Sequence, residues 1–468
     1  MQKMSPKNIK ILFLEARYFD SFFRQRPNPC LSLYMLAAFL KDNMPEINFE
    51  FTFTTSQDYK EQIAGKSYDL CGIYSTTQAW NQACEVATRM KELNIMSIIG
   101  GPHISSVPES LTPHFALGCI GPGELVLKRI VQLYIKYDCL PTSEISNMNG
   151  VVFYENGKIK IKESSAKIPN LDCLPSPYKY FLKPNRIRTN LISSVGCPHN
   201  CYYCSAKVIN PFLRFYSAEK LVDEIEFLFK VYKISYFKFI DDNLLASRTR
   251  LRNIAKLLEK KKLLNKISID CTSCSKFINK DTAKLLKLLN VKIVTIGFES
   301  GSETVLEKLK CNRITMDDHH RALELLISNH IKVYGNFMVG TPGETIEDVK
   351  KTILFIKKNK MSVVAVNFIK PLPGTPFWNH LVTSKKIDQD NVNYQELSLT
   401  SCNNKKWYFN DSMSYEEAVH YYNLINRMCL INNIKNNLKN PILYQTIYSQ
   451  LIQLGSYFMR KIKPKVLI

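Results

Sequence analysis

Apolar and polar positions follow two successive rhythms along the 468-residue chain. Between residues 9 and 135, short apolar runs exchange with stretches of helical spacing. "IKILFLE", "NFEFTFT", "YDLCGIYS" and "MSIIGGPH" are strand-like, while "LSLYMLAAFLKD", "NQACEVATRMKEL" and "ELVLKRIVQLYIK" repeat their apolar residues at three and four positions. Runs of the first kind predict buried strands and the second kind predicts helices. Strand, helix and strand in repetition predict a parallel sheet covered on both faces. Ligands bind such open sheets at the carboxyl ends of the strands, where the glycine turns of this segment fall.

Residues 141–187 interrupt the rhythm. "NGVVFYENGKIKI" predicts a hairpin around Glu155-Asn156-Gly157, and "IPNLDCLPSPYKYFLKP" is punctuated by prolines and irregular, so the stretch is read as a linker carrying a hairpin. A second series starts at 188 with "RTNLISSVG" and runs through "SAEKLVDEIEFLFKVY", "YFKFIDDN", "TRLRNIAKLLEKK", "ISIDCTS", "KDTAKLLKLLN", "KIVTIGFES", "MDDHHRALELLISNH", "KVYGNFMVG", "TIEDVKKTILFIKKN" and "VVAVNFIKPLP". Six βα-type repeats of this size predict a TIM-type barrel or a large part of one. The expected organisation is therefore an α/β sheet domain over 1–140, the linker over 141–187, a β/α barrel over 188–400 and a helical region over 401–468. No short internal repeat appears.

Composition changes this picture little. Lys and Arg number 63 against 41 Asp and Glu, a net charge of +22, but the basic residues are dispersed among Asn and Ile, as in "NNIKNNLKN". Dispersed lysine is the pattern of a solvated surface, so charge alone selects neither nucleic acid nor membrane. The start, "MQKMSPKNIKILFLEARYFD", lacks the apolar core of a signal peptide, and no apolar run is long enough to span a bilayer. A cytoplasmic location is expected, where clustered thiols serve more often as metal ligands or catalytic groups than as disulfides.

Three of the 14 cysteines crowd into "SVGCPHNCYYCSA" as Cys197, Cys201 and Cys204, just after the first strand of the second series. Structural zinc prefers four protein ligands, whereas three thiolates can hold an iron–sulfur cubane and leave one iron open. The C-x3-C-x2-C run, with Tyr203 before its last cysteine, resembles the radical S-adenosylmethionine (SAM) superfamily. That resemblance implies a 4Fe-4S cluster on Cys197, Cys201 and Cys204 whose open iron takes the amino and carboxylate groups of SAM. Further strand ends carry the resemblance through residues 188–380. "FIDDN" resembles the second-strand motif, which places Asp241 or Asp242 near the SAM amino group. "GFESGSE" is similar to the fourth-strand motif, with Glu299 and Ser300 as the matching residues. "FMVGTPGET" resembles the segment under the adenine, with Met338, Val339 and Gly340, and "PLPGTPFW" resembles the sixth-strand end.

The N-terminal segment resembles the Rossmann-like cobalamin-binding domains fused to such barrels. The turns concerned are Ser75-Thr76-Thr77, "IIGGPH" with Gly100, Gly101 and Pro102, and "IGPGE" with Gly121, Gly123 and Glu124. Small residues there let backbone approach a corrin edge or nucleotide tail. One departure is clear: after the first strand the chain reads "EARYFD", without the Asp-x-His-x-x-Gly of cobalt-ligating domains, and no histidine occurs before His103. The resemblance then implies base-off cobalamin, and His103 is read as a local hydrogen bonder, as is His199. Cys271 and Cys274 form a C-x2-C without further nearby ligands and are read as buried or pocket-lining thiols.

Taken together, the resemblance implies a cobalamin-dependent radical SAM enzyme that methylates an unactivated carbon of a small molecule or lipid, fed by an electron donor such as flavodoxin or ferredoxin. Cyclases and rearranging enzymes share this two-domain plan. An RNA-modifying enzyme, encouraged by the charge, and a non-catalytic corrinoid-binding module are the other readings; the scattered Cys30, Cys71, Cys84 and Cys119 argue against the first and the intact cysteine run against the second. The apolar stretch 441–459 followed by "RKIKPK" is compatible with weak attachment to an anionic membrane or with a helix packed on the barrel.

Overall fold

The computed structural model describes residues 8–18, 30–163, 170–184, 188–397, 402 and 404–437. They fall into two compact units: Met1–Lys183 with Val208–Asn210 and Trp378–Leu397, and Pro184–Lys207 with Pro211–Phe377 and Ser398–Ile468. The stretch Trp378–Leu397 thus packs with the first unit, although its sequence position had grouped it with the barrel. The membrane-contact reading of 441–468 lies outside the described residues. Among the described residues no helix is long and apolar enough to cross a membrane.

In the first unit, β1 (Asn8–Glu15), β2 (Asn48–Thr55), β3 (Leu70–Tyr74), β4 (Met96–Gly100) and β5 (Leu117–Cys119) are parallel. The hairpin of β6 (Val151–Glu155) and β7 (Lys158–Lys162) adds antiparallel to β5, giving the order β2-β1-β3-β4-β5-β6-β7. Its two-residue turn is Asn156-Gly157, both at positive φ, as the twist of a tight hairpin requires. The hairpin therefore extends the sheet and is not a free linker. Ile11, Leu12, Phe13 and Leu14 of β1 are all buried, so both faces of this central strand are covered. The strand order reverses between β1 and β3, the switch point where open parallel sheets open a crevice at their carboxyl ends.

The second unit is a six-stranded parallel sheet of β8 (Thr189–Leu191), β11 (Tyr236–Phe239), β12 (Ser268–Ser273), β13 (Val291–Glu299), β14 (Lys332–Val339) and β15 (Val363–Phe368), each beside the next. Between β8 and β11 a short antiparallel pair, β9 (Ser194–Val195) with β10 (Arg214–Phe215), closes the base of a loop. Asn279, Thr315 and Thr345 start the following helices with capping boxes, which satisfy the first backbone N–H groups reciprocally and set sharp strand-to-helix turns.

Strands of a parallel sheet covered on both faces read as continuous apolar runs, but these alternate. Phe237, Phe239, Ile296, Phe298, Phe337 and Val339 are buried on the helix-covered face. Lys238, Thr272, Thr295, Asn336, Met338 and Asn367 share the other face by register and are only half-buried. An inner face that is polar and partly open is the face of a barrel lined for a ligand.

Candidate functional site

The cysteine run occupies the loop between β9 and β10. Its backbone is pinned to the second unit at several points: Tyr202 N–H donates to the Leu309 carbonyl at 2.9 Å, and Phe377 N–H donates to the Tyr202 carbonyl at 2.9 Å. Cys311 Sγ donates to the Asn200 carbonyl at 3.2 Å, and Arg313 Nη1 to the Pro198 carbonyl at 3.4 Å. Cys197, Cys201 and Cys204 are all half-buried and free. Burial holds the three thiols above their ordinary pKa, with Cys201 pushed up to about 12. Among the described residues, no three or more His, Cys, Asp or Glu converge as a single metal ion needs. The three thiolates of a cubane attach to three different irons, so such a cluster does not require them to converge on one point.

Tyr203 of this loop forms a triad with the buried Glu299 and Lys310. Tyr203 donates its hydroxyl proton to Glu299 Oε1 at 2.6 Å, and Lys310 Nζ donates to the same oxygen at 2.8 Å and to the Tyr203 hydroxyl at 3.0 Å. The end of β13 is built to hold that carboxylate. A register shift falls between Gly297 and Glu299, and Glu299 adopts φ of 65°, a left-handed conformation that costs a non-glycine residue roughly 1–3 kcal/mol. The carboxylate folds back over Gly297, where a Cβ atom would lie 2.2 Å from Glu299 Oε1. Burial pushes the Lys310 ammonium toward neutrality, but Glu299, Tyr203 and Cys201 together outweigh it and hold the lysine well above its usual pKa. Breaking such a buried pair by removing one partner typically costs about 3–5 kcal/mol. Ser300 is fully buried, with Oγ 3.1 Å from Thr352 Oγ1 and accepting from Ser302 N–H, so it braces the turn.

The two aspartates of "FIDDN" separate by environment. Asp241 is buried and accepts from Ser193 N–H at 2.7 Å and from the hydroxyls of Ser193 and Ser194, tying β11 to the base of the cysteine loop. Asp242 is exposed, takes a hydrogen bond from the Gly196 backbone, and its charge bears on Cys197 and Cys204. Asp242 is thus the carboxylate free to meet an amine next to the loop. Of the β14 trio, Met338 lies on the half-open face and Val339 on the covered face. Gly340, at φ of 88°, starts a turn braced by Glu344, whose Oε2 accepts from Gly340 N–H at 2.7 Å and Thr341 N–H at 3.2 Å. His199 Nε2 sits 3.3 Å from Cys274 Sγ, while Cys271 is buried.

In the first unit all the singled-out turns fall at carboxyl ends of strands. Ser75, Thr76 and Thr77 follow β3, Gly101 and Pro102 follow β4 from its last residue Gly100, and Gly121, Gly123 and Glu124 follow β5. Gly101 has φ of 103°, and a Cβ there would meet the Ser75 carbonyl at 2.9 Å, so its identity is dictated by the chain itself. The other two positions are roomier: a Cβ at Gly100 would come no nearer than 3.9 Å to Cys119, and one at Gly123 no nearer than 3.6 Å to Leu36. Nothing in the backbone forbids a side chain at either, which suits a cradle kept clear for a ligand. His103 is unavailable to such a ligand. It is buried, its ring tilted against Trp80 with centroids 4.3 Å apart and edge-on to Tyr394 at 4.5 Å, with Nε2 3.0 Å from Ser110 Oγ.

Burial lowers the His103 pKa to about 3. Its unfolded value is higher, so between the two the unfolded chain binds a proton that the folded chain does not. The stability it contributes is full above the unfolded pKa and is lost as pH falls toward the folded one. We expect a decline of up to about 1.4 kcal/mol per pH unit on acidification below about pH 6.5. Urea unfolding at neutral and mildly acid pH checks this, and His103→Gln should flatten the slope.

Sequence reasoning missed Lys310, Ser193, Ser194 and Glu344. A signal existed for Lys310, which falls four residues after Leu306 on the buried stripe of Val305, Leu306 and Leu309.

Residues 191–356 match the family described as the radical SAM superfamily, and the second unit is a radical SAM domain. An uncharacterized methyltransferase of Pyrococcus horikoshii is 29% identical over 347 residues, covering 71% of this chain and 73% of that protein. The anaerobic magnesium-protoporphyrin IX monomethyl ester cyclase of Rubrivivax gelatinosus is 24% identical over 362 residues, covering 74% and 65%. Among solved structures, the radical S-adenosylmethionine methyltransferase TsrM of Kitasatospora setae, with cobalamin and a [4Fe-4S] cluster bound, superposes with a TM-score of 0.66 at 17% identity, covering 80% of this chain and 75% of that one.

Proposed function

We propose that the chain is a cobalamin-dependent radical SAM enzyme that methylates an unactivated carbon of a small-molecule substrate. The observation that carries this reading is the occurrence, in one chain, of a C-x3-C-x2-C loop at the carboxyl edge of a half-open barrel and a set of turns of small residues at the carboxyl ends of β3, β4 and β5 of a parallel sheet. When bound, the cluster and SAM supply a 5′-deoxyadenosyl radical for hydrogen abstraction, and cobalamin supplies a carrier for the methyl group. Cys197, Cys201 and Cys204 hold the cluster. Asp242 receives the SAM amino group, Met338 and the backbone of Val339 and Gly340 line the adenine, and Tyr203 with Glu299 closes the nucleoside side, braced by Ser300 and Asp241. Ser75, Thr76, Thr77, Gly100, Gly101, Pro102, Gly121, Gly123 and Glu124 would form the corrinoid cradle, and His103, packed against Trp80 and Tyr394, would not serve as a cobalt ligand. A low-potential one-electron donor protein of the flavodoxin or ferredoxin kind feeds the site.

The likeness to a cyclase supports a second reading on the same scaffold, oxidative cyclisation. Product stoichiometry separates them. Methyl transfer consumes one SAM as methyl donor and another as radical source, so anaerobic turnover should yield S-adenosylhomocysteine and 5′-deoxyadenosine in roughly equal amounts per methylated product. Turnover that yields 5′-deoxyadenosine alone rules out methyl transfer and leaves the cyclase reading.

A further inference from the structure

We infer that residues 309–313, at the end of the helix Glu303–Lys310, are a template that holds the cysteine loop folded before iron and sulfide arrive, with Lys310 as the central positioning residue. This role rests on the cluster reading of the loop. Arg313 Nη1 donates to the Pro198 carbonyl at 3.4 Å, Cys311 Sγ to the Asn200 carbonyl at 3.2 Å, and Tyr202 N–H to the Leu309 carbonyl at 2.9 Å. These contacts step by two residues along each segment in opposite directions, so the loop lies along the helix end and does not merely touch it at one point. Lys310 adds the link to Tyr203, its Nζ lying 3.0 Å from the Tyr203 hydroxyl and 2.8 Å from Glu299 Oε1.

The helix end is shaped for this contact. The last carbonyls of a helix lack intrahelical partners, and the loop supplies one to Leu309. Cys311 and Asn312 then both take left-handed backbone, at φ of 52° and 56°. One such residue, usually glycine, commonly ends a helix. Two in succession, neither of them glycine, are strained and persist only where surrounding contacts fix them. Here Cys311 and Arg313 both reach the loop, and Lys276 Nζ secures the far end of the turn by donating to the Arg313 carbonyl at 2.8 Å. The Lys310–Glu299 pair is charge-compensated and buried, so the Tyr203 hydroxyl is held at a fixed point. A loop ordered in advance spares the incoming cluster the entropy of ordering it, which favours retention.

The test is amide hydrogen exchange over residues 197–204 of the full-length, cluster-free chain, alongside urea unfolding. The wild-type loop should be protected. Tyr203→Phe removes the hydroxyl and leaves the Lys310–Glu299 pair intact, so loop exchange should rise about tenfold with the urea midpoint unchanged, since a hydrogen bond to a charged group is lost from a local opening. Tyr202→Phe, on the same loop but outside the triad, should match wild type. Glu299→Gln combined with Lys310→Met leaves no uncompensated buried charge and should raise loop exchange at least as much. After reconstitution, Tyr203→Phe should surrender iron to a chelator faster than wild type. A wild-type loop without protection overturns the inference. So does a loop that keeps wild-type protection in both triad variants, or a Tyr203→Phe chain whose urea midpoint falls in step with its loop. If the loop responds as expected in a chain that takes up no iron and sulfide, the cluster reading fails and the template stands.

Discussion

Cys197→Ala, Cys201→Ala and Cys204→Ala should each abolish the cubane, whereas Cys271→Ala and Cys274→Ala should retain it. The three loop cysteines are the half-buried thiols of one pinned loop, and two remaining thiolates cannot fix a three-point attachment. Cys271 is buried within β12, and Cys274 faces His199. Iron and sulfide assays on the five reconstituted variants check this. We expect near-complete loss in the first three and near wild-type content in the other two. Full iron content in Cys201→Ala would sink the assignment. The same set shows whether the C-x2-C pair supports a second cluster, which this account excludes.

Gly123→Leu should fold and yet bind almost no corrinoid. Gly123 has an ordinary backbone conformation and space for a Cβ, and it precedes the helix Glu124–Tyr137 as its N-cap. A side chain at such a cap changes stability by about 1 kcal/mol or less relative to glycine. A leucine adds bulk to the proposed cradle at the turn after β5, so we expect corrinoid retained on purification to drop more than tenfold with little change in the urea midpoint. Gly101→Ala is the contrast, since its Cβ collides with the Ser75 carbonyl and strains a left-handed turn. It should lose stability whether or not corrinoid is present. Equal corrinoid content in Gly123→Leu and wild type would move the cradle away from this turn.

The strands of both sheets were legible because each is a short apolar or alternating run bounded by turn residues, and the hairpin because Asn156-Gly157 encodes its own turn. The cysteine loop was legible from spacing alone. Other features depend on contacts distant in sequence. The pairing of β6 with β5 makes the hairpin part of the sheet, a long-range event that no local pattern announces. The return of Trp378–Leu397 to the first unit rests on single contacts such as Tyr394 on His103 and Gln78 on the Leu397 carbonyl.

Within the site, motif matching named Asp241 and Asp242 together, and only geometry shows that the first is consumed by Ser193 and Ser194 while the second is open. Lys310 was hidden by composition. In a chain with 63 basic residues one more lysine reads as surface, unless its place on the apolar stripe of its helix is weighed. The strain at Glu299 was equally hidden, because a glutamate at a strand end carries no mark of a left-handed backbone until its register is known.

The most direct test of the account is the cofactor content of the full chain purified without oxygen and reconstituted with iron, sulfide and cobalamin, read as metal analysis together with the visible spectrum. The account predicts about four irons and four sulfides per chain together with one corrinoid that carries no histidine ligand, since three thiolates hold one cubane and His103 is packed against Trp80 and Tyr394. A chain that fills with iron and sulfide and binds no corrinoid, or one whose corrinoid shows a histidine-ligated spectrum that disappears in His103→Gln, would contradict it.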